Sequence, residues 1–310
     1  MKRQILIILS LILFGITSAE AQYLWDVGLK AGGSNYLGDI GGMEKTRRDF
    51  IMDMKLSQTR WATGLFGRYK LTDDISLSAN LYYGRIQGAD SLSTNPGRTG
   101  RNLSFRNDMF ELNVRGEYNF YEVNDVGGTG RYRNDFRLYA FLGVGGLYHN
   151  PQAYYNGRWV DLRPLKTEGV DYSPFVLVLP KGLGCYFTFD RQYRVGFELG
   201  WRTTFTDYLD DISGNYPDPS ELDSELARAL SNRRGELPAE GYPDPANYGP
   251  PSETNEGKRG DPTNNDSYLF ATFTFSYVIR GRSNFYRQFR GSWFKSGRTK
   301  RSGRKRRVKF

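Results

Sequence analysis

Apolar and polar residues alternate with a period of two through long segments of this chain. In FELNVRGEYNF, residues 110–120, every second position from Phe110 is apolar or Gly, and the positions between them are Glu, Asn or Arg. The same alternation recurs in residues 75–83 and 194–202. Because successive side chains of a strand point to opposite faces, this pattern predicts β-strands with one apolar and one polar face.

Two architectures produce such strands, a soluble sandwich and a membrane barrel, and segment length separates them. Membrane-spanning strands need about 9–11 residues, whereas strands of globular proteins usually have about 5–6. Most of the segments here are of the longer kind, which favours the barrel. Eight strands are predicted, at about 23–32, 60–70, 75–86, 107–121, 135–147, 174–189, 193–204 and 268–280.

The connections between these strands alternate in length. LTDD and FDRQ are short, the connection after the fourth strand is intermediate, and the others are long, the last covering 205–267. Long loops on one side and short turns on the other are typical of outer-membrane barrels. The sequence therefore predicts an all-β fold, an eight-stranded antiparallel transmembrane β-barrel over residues 22–280, with long extracellular loops. An even strand count places both termini in the periplasm.

The first residues predict export. MKRQILIILSLILFGITSAEAQ combines two cations, an apolar run of about 12 residues and a small-x-small cleavage pattern. An uncleaved membrane anchor would need a longer apolar run. We therefore expect residues 1–21 to be a cleaved signal peptide, the mature chain to begin at Gln22, and the protein to reside in the outer membrane.

The polar faces of the strands predict a filled interior. Eight strands enclose a space that side chains just fill, and both signs of charge occur there in similar number, so they can pair. We therefore expect an anchor or platform and no open pore. Glycines at 143–146 and 182–184 are expected to relieve crowding in the wall or to bend strands. The predicted inward charges are Asp26, Lys30, Arg68, Glu111, Arg115, Glu117, Arg194, Glu198 and Arg202.

The loop 205–267 is predicted to contain a short helix. In PSELDSELARALSNRRG, Ser220 and Asp223 approximate a capping box, and Leu222, Leu226 and Leu230 recur every four residues. Such a helix would lie on the barrel rim or on a partner, and covering the barrel mouth is the favoured interpretation.

Candidate chemistry is sparse. Asp207, Asp210 and Asp211 in TDYLDD could bind Ca²⁺ or act as acid and base, but tying loop backbone to the rim is the favoured interpretation. A surface hydrolase using His149 with these carboxylates is a weaker alternative. The single Cys185 excludes an internal disulfide. No catalytic residue, cofactor or metal ligand is predicted.

The last 30 residues, 281–310, carry 12 Lys and Arg and no Asp or Glu, which leaves a net charge of −3 on residues 1–280. Export argues against nucleic acid as a partner. Interleaved aromatics are typical of interface hot spots and clustered cations guide association, although attraction to lipid phosphates is an alternative. The predicted partner-binding residues are Phe285, Tyr286, Phe289, Trp293, Phe294, Arg298, Lys300, Arg301, Arg304, Lys305, Arg306, Arg307 and Lys309.

Three segments carry a family resemblance. KAGGSNYLGDIGG (30–42), IQGADS (86–91) and ELGWRTTFTDYLDD (198–211) resemble the PorG family, the outer-membrane barrel component of the Bacteroidota type IX secretion system. The resemblance covers most of the mature chain. It implies a small barrel without enzyme activity that attaches the periplasmic ring, built from the lipoprotein PorK and its partner PorN, to the outer membrane. An adhesin or ligand-binding barrel and a surface hydrolase remain the alternatives.

Overall fold

A computed structural model describes residues 25–40, 56–93, 96–128, 130, 134–237 and 257–279. The predicted signal peptide and the basic tail therefore lie outside the described residues. Within the described ranges, no helix is long and apolar enough to cross a membrane.

The strands form a single antiparallel sheet that closes on itself. Its order is β4-β3-β2-β1-β9-β8-β7-β5, and β4 pairs with β5 to complete the ring. Eight strands make the barrel, and the short β6 pairs only with the end of β5. The eight-stranded antiparallel barrel is thereby confirmed. The strands are β1 Trp25–Leu37, β2 Arg60–Lys70, β3 Ile75–Ala89, β4 Ser104–Val123, β5 Asn134–Tyr155, β6 Arg158–Asp161, β7 Phe175–Phe189, β8 Tyr193–Thr204 and β9 Ser267–Ile279.

Strand pairing around the ring is staggered. The register that starts at Trp25 of β1 passes through Lys181 of β7 and Leu269 of β9 and returns to β1 at Asn35. The shift from position 25 to position 35 is a stagger of ten residues. For eight strands this stagger corresponds to a strand tilt of about 40°.

The two ends of the barrel differ in their connections. One end carries the turns 71–74, 124–133 and 190–192, and we call it the short-turn end. The opposite end, the long-loop end, carries the connections after β1, β3, β6 and β8. Trp25 pairs with Ile279, so both ends of the barrel sequence lie at the short-turn end.

Two strands extend five or more residues further toward the long-loop end than predicted. The strand predicted to end at residue 147 runs to Tyr155, and β1, predicted to end at 32, runs to Leu37. Outward positions of the β5 extension include the polar Asn150 and Gln152, and Pro151 lies within it, so the apolar and polar alternation that marks a spanning strand is interrupted there. Asn156 and Gly157 adopt φ of 47° and 82°, which makes the tight turn into β6.

The helix in the last loop begins later than predicted. Ser224, and not Ser220, caps α2 (Glu225–Ser231), because its side chain accepts the backbone N–H of Ala227. Ser220 belongs to a separate 3₁₀ turn capped by Asp218. Leu230 packs against Ala153 and Leu162 at the rim, so α2 covers the barrel mouth. A second helix, α1 (Pro96–Arg101), was not predicted.

The outer surface of the barrel is an apolar belt between two rings of aromatic side chains. At the long-loop end, Tyr83 stacks on Phe110 at 4.4 Å and contacts Trp61 at 4.9 Å between ring centroids. Between the rings, side chains such as Leu112 are exposed, in this case by 62%. An apolar band flanked by two aromatic girdles is typical of barrels that span a bilayer. The ring at the short-turn end contains Trp25, Tyr118, Phe120, Phe187, Tyr193 and Tyr277.

Candidate functional site

The predicted partner-binding residues, from Phe285 to Lys309, lie outside the described residues and stay a prediction. The polar clusters that the structure describes lie in the barrel lumen and at its long-loop rim. Both are built from side chains on the inner faces of the strands and from the loops that fold over them.

Glu198 of β8 is the centre of the lumen network. Its carboxylate accepts Lys30 Nζ at 2.7 Å, Arg115 Nη2 at 2.6 Å and Tyr139 Oη at 2.5 Å. Lys30, Arg115 and Glu198 are each at least 98% buried. Because an isolated buried charge is very costly, the position of each of these groups depends on the others.

The rest of the lumen is paired in the same way. Arg68 binds Asp26 at 2.9 Å and Glu117 at 2.5 Å, and Arg194 also binds Asp26, at 2.6 Å. Nearer the long-loop end, Glu111 accepts Tyr268 Oη at 2.7 Å and pairs with Arg202. All nine charges predicted to point inward do so, and each has an ion-pair partner.

Small residues in the wall make room for these side chains. A Cβ at Gly145 would lie 2.6 Å from the Cβ of Asn113, and one at Gly182 would lie 2.7 Å from the ring of Phe141. Such contacts are too close for a real side chain, so the predicted relief of crowding is confirmed at Gly145 and Gly182, whereas a Cβ on Gly146 would meet open space. The lumen is therefore filled by large charged and aromatic groups, with glycine opposite them.

At the long-loop rim, the end of β1 and the loop that follows it meet the loop after β8. Tyr36 Oη lies 2.6 Å from Asp210 Oδ2 and 2.7 Å from Asp266 Oδ1, and it accepts the backbone N–H of Asp39. A Cβ on Gly38 would collide with both Tyr36 and Asp266. We call Tyr36, Asp39, Asp210 and Asp266 the rim cluster. It holds the loop after β1 against the loop before β9.

The geometry of the rim cluster fits one proton shared between its carboxyl groups. Tyr36 has one hydroxyl proton but two carboxyl neighbours, so both contacts are hydrogen bonds only if one carboxyl is protonated. Burial, together with repulsion from Asp39, raises the pKa of Asp210 to about 8. Burial and repulsion from Asp210 and Asp207 raise the pKa of Asp266 well above its usual range. The raised pKa values of both carboxyl groups agree with the hydrogen-bond geometry.

Asp211 organises a neighbouring part of the loops. It accepts Tyr172 Oη at 2.6 Å and the hydroxyl of Thr167, and Arg259 lies 3.7 Å away. Burial raises the pKa of Asp211 to about 6, and Arg259 opposes this increase. Arg259 also binds Glu168 at 2.9 Å. Asp210 accepts the backbone N–H groups of Ile40 and Ile212 and so ties loop backbone to the rim, as the sequence predicted. Asp211 instead binds loop side chains.

Asp207 does not share this role. Both of its carboxylate oxygens are buried and make no hydrogen bond that meets normal geometry with a described residue, and Asp207 is only 6% exposed. Burial, with repulsion from Asp210, raises the pKa of Asp207 to about 9. Among the described residues, no three His, Cys, Asp or Glu side chains converge as metal ligands.

His149 does not form the dyad considered from the sequence. Its Nε2 lies 3.2 Å from the carbonyl of Ser173, and its Nδ1 lies 3.5 Å from the amide of Asn107. The ring is fully buried and stacks on Tyr172 with 6.1 Å between centroids. Within the described part of the chain, no carboxylate contacts either ring nitrogen, so His149 packs the rim.

Sequence reasoning missed several members of these clusters. Asp266 and Tyr36 are separated by 230 residues, so only three-dimensional proximity reveals that they belong together. Arg101 binds Asp90 at 2.8 Å and the backbone oxygens of Asp39 and Arg259, joining three loops. The one signal in the sequence was the presence of polar residues at the inward-facing positions near strand ends. These positions do not contact lipid, so polar side chains there indicate contacts with the loops.

The closed sheet, the apolar belt and the ion-paired lumen define a small β-barrel of the outer-membrane type. The chain belongs to the family described as Domain of unknown function (DUF6089), whose model matches residues 2–231. No curated protein sequence matches it.

Among solved structures, the chain is similar to the Pseudomonas aeruginosa outer membrane protein OprG, with 11% identity and a TM-score of 0.37, covering 84% of this chain and 100% of that one. The N-terminal barrel domain of OprF from the same organism shows 10% identity and a TM-score of 0.33, covering 82% and 97%. Ail of Yersinia pestis, in complex with a heparin analogue, shows 8% identity and a TM-score of 0.34, covering 83% and 99%. Values this low carry no information on function.

Proposed function

We propose that this protein is a structural component of the type IX secretion system that anchors the periplasmic PorK/PorN ring to the outer membrane. In this proposal the short-turn end faces the periplasm and the basic tail binds the ring. The barrel itself moves no substrate.

The observation that carries the proposal is the filled lumen. Transport through the barrel would require separating Glu198 from Lys30 and Arg115, all of them buried. Breaking one such pair costs about 3–5 kcal/mol. A barrel closed in this way is suited to holding its position in a membrane, and its binding surfaces lie outside the lumen.

The topology supports attachment through the C-terminal segment. Strand β9 ends at Ile279, beside the start of β1, at the short-turn end. Residues 281–310 therefore follow directly from the end that the proposal places in the periplasm. As a flexible chain they would have an end-to-end distance of roughly 30 Å.

Deletion of residues 282–310 tests this proposal. The truncated barrel should still insert, shown by heat-modifiable migration on gels, but should no longer co-purify with PorK and PorN, and secretion should stop. Deletion of residues 238–256 in the last long loop is the matched control, because it removes a segment at the opposite end, and it should leave co-purification intact.

Two substitutions separate the roles within the tail. Reversing the charges of Arg304 to Arg307 should slow association in a salt-dependent manner. Trp293→Ala should instead speed dissociation, because hot-spot aromatics act mainly on complex lifetime. Normal co-purification of the tail-deleted protein with the ring, with secretion intact, would overturn the proposal and favour an adhesin or ligand-binding barrel.

A further inference from the structure

A lysine occupies the lipid-facing surface of β7. Lys181 is exposed, and its register partners on the neighbouring strands are Leu142 and Trp201. Odd-numbered residues of β7 point outward, as the exposure of Leu177 and Leu183 shows. Lys181 therefore projects from the same face as the apolar belt and away from the ion-paired lumen.

Lys181 is the only charged side chain among the described outward-facing positions between the two aromatic rings. It has no hydrogen bond or ion pair to any described residue. A lysine that faces lipid near the middle of a bilayer destabilises a spanning barrel. An intramembrane charge of this kind marks a functional site unless it reaches a polar environment.

Lys181 lies too deep in the apolar belt for its side chain to reach the polar headgroups. On its own strand, Leu179, Leu177 and Phe175 separate it from the long-loop end. At a rise of about 3.3 Å per residue and a tilt of about 40°, Phe175 lies roughly 15 Å closer to that end. An extended lysine side chain reaches about 6 Å, so its ammonium group stays below the headgroups. Phe187, in the aromatic ring at the short-turn end, is separated from Lys181 by the same number of residues in the opposite direction.

We propose that Lys181 is the contact point at which the β5–β7–β8 face binds a different outer-membrane protein, one that presents an Asp or Glu on its lipid-facing surface at the same depth. Charge complementarity favours this partner. A second copy of this chain would not provide the carboxylate, because no Asp or Glu faces outward between the aromatic rings of the described strands. The small outward residues Gly146 and Ala140 on β5 leave space for close approach.

Photocrosslinking in cells tests the proposal with the full-length protein. A benzophenone amino acid placed at Leu183 probes the proposed face, and one at Leu65 on the opposite wall is the matched control, because the two leucines are 55% and 54% exposed. The Leu183 probe should form an adduct with an outer-membrane protein and the Leu65 probe should not. Lys181→Met should reduce that adduct by roughly tenfold, whereas Lys181→Arg should preserve it.

Charge exchange then identifies the partner group. Lys181→Asp should abolish the adduct, and Asp→Lys or Glu→Lys at the partner's matching position should restore it. In pure phospholipid vesicles, where no partner is present, Lys181→Met should shift the guanidinium unfolding midpoint upward. An adduct only with lipid, equal adducts at both probes, no adduct, an adduct unaffected by Lys181→Met, or a lowered midpoint would each overturn the proposal.

Discussion

Replacing Glu198 with Gln should destabilise the barrel strongly. The substitution keeps the size of the side chain but removes the charge that binds Lys30 at 2.7 Å and Arg115 at 2.6 Å. Hydrogen bonds to charged groups contribute about 1.5–3 kcal/mol each, and removing one partner of a buried pair costs about 3–5 kcal/mol. We therefore expect a loss of about 4 kcal/mol, close to a thousandfold in the ratio of folded to unfolded protein.

Equilibrium unfolding by guanidinium from phospholipid vesicles measures this loss. Asp108→Asn is the matched control: Asp108 pairs with Arg85 at 2.6 Å, but both side chains are about 30% exposed. That exposed pair should contribute at most about 1 kcal/mol.

A double variant tests the cause of the loss. Lys30→Met combined with Glu198→Gln removes both charges of one pair and should recover at least about 1 kcal/mol relative to Glu198→Gln alone. A loss below 1 kcal/mol for Glu198→Gln, or a double variant no more stable than the single one, would refute the argument that buried pairing holds the lumen closed.

Two further predictions concern the long-loop rim. Because the pKa of Asp210 is raised to about 8, its protonation stabilises the rim, and this stability should fall as the pH rises from about 4 to about 8. Hydrogen exchange at the backbone amides of Leu209 and Ile212, corrected for intrinsic rates, should show less protection at pH 8.5 than at pH 5.5. Asp210→Asn should weaken this pH dependence. His149→Gln should leave secretion unchanged once levels of folded barrel are matched, because the ring nitrogens of His149 contact only Asn107 and Ser173 among the described polar groups. Loss of a hydrolytic activity with normal protein levels would contradict this.

Most of the barrel strands could be predicted from the alternating pattern, because the face of a strand that contacts lipid needs apolar side chains and the face that lines the lumen carries polar ones. Strands β2 and β8 lie at the predicted residues 60–70 and 193–204. Where β5 extends beyond the apolar belt, its outer face contacts water and no longer needs apolar side chains. The alternating pattern therefore ends before the strand does, and the strand was predicted too short. The Asn156-Gly157 pair was a turn signal that could have predicted β6.

The rim cluster could be predicted only in part. Asp210 and Asp211 were recognised as groups that hold the loops, because clustered carboxylates commonly bind loop backbone. Their partners Tyr36 and Arg259 come from distant parts of the chain, and no local pattern links them. Asp207 resembles its neighbours in sequence but differs from them because its buried carboxylate makes no hydrogen bond of normal geometry with a described residue.

The ion pairs of the lumen join residues that are far apart in the sequence, and this separation determines the order of steps in barrel assembly. Lys30 and Glu198 are 168 residues apart, and β9 must be in place between β1 and β8 before these two side chains face each other across a closed interior. Until that last strand joins, an inserting sheet would expose its charged inner face with most partners missing. Closure and charge pairing should therefore occur as one cooperative step, and a nascent chain lacking residues 267–279 should be held by the insertion machinery and not released into the membrane.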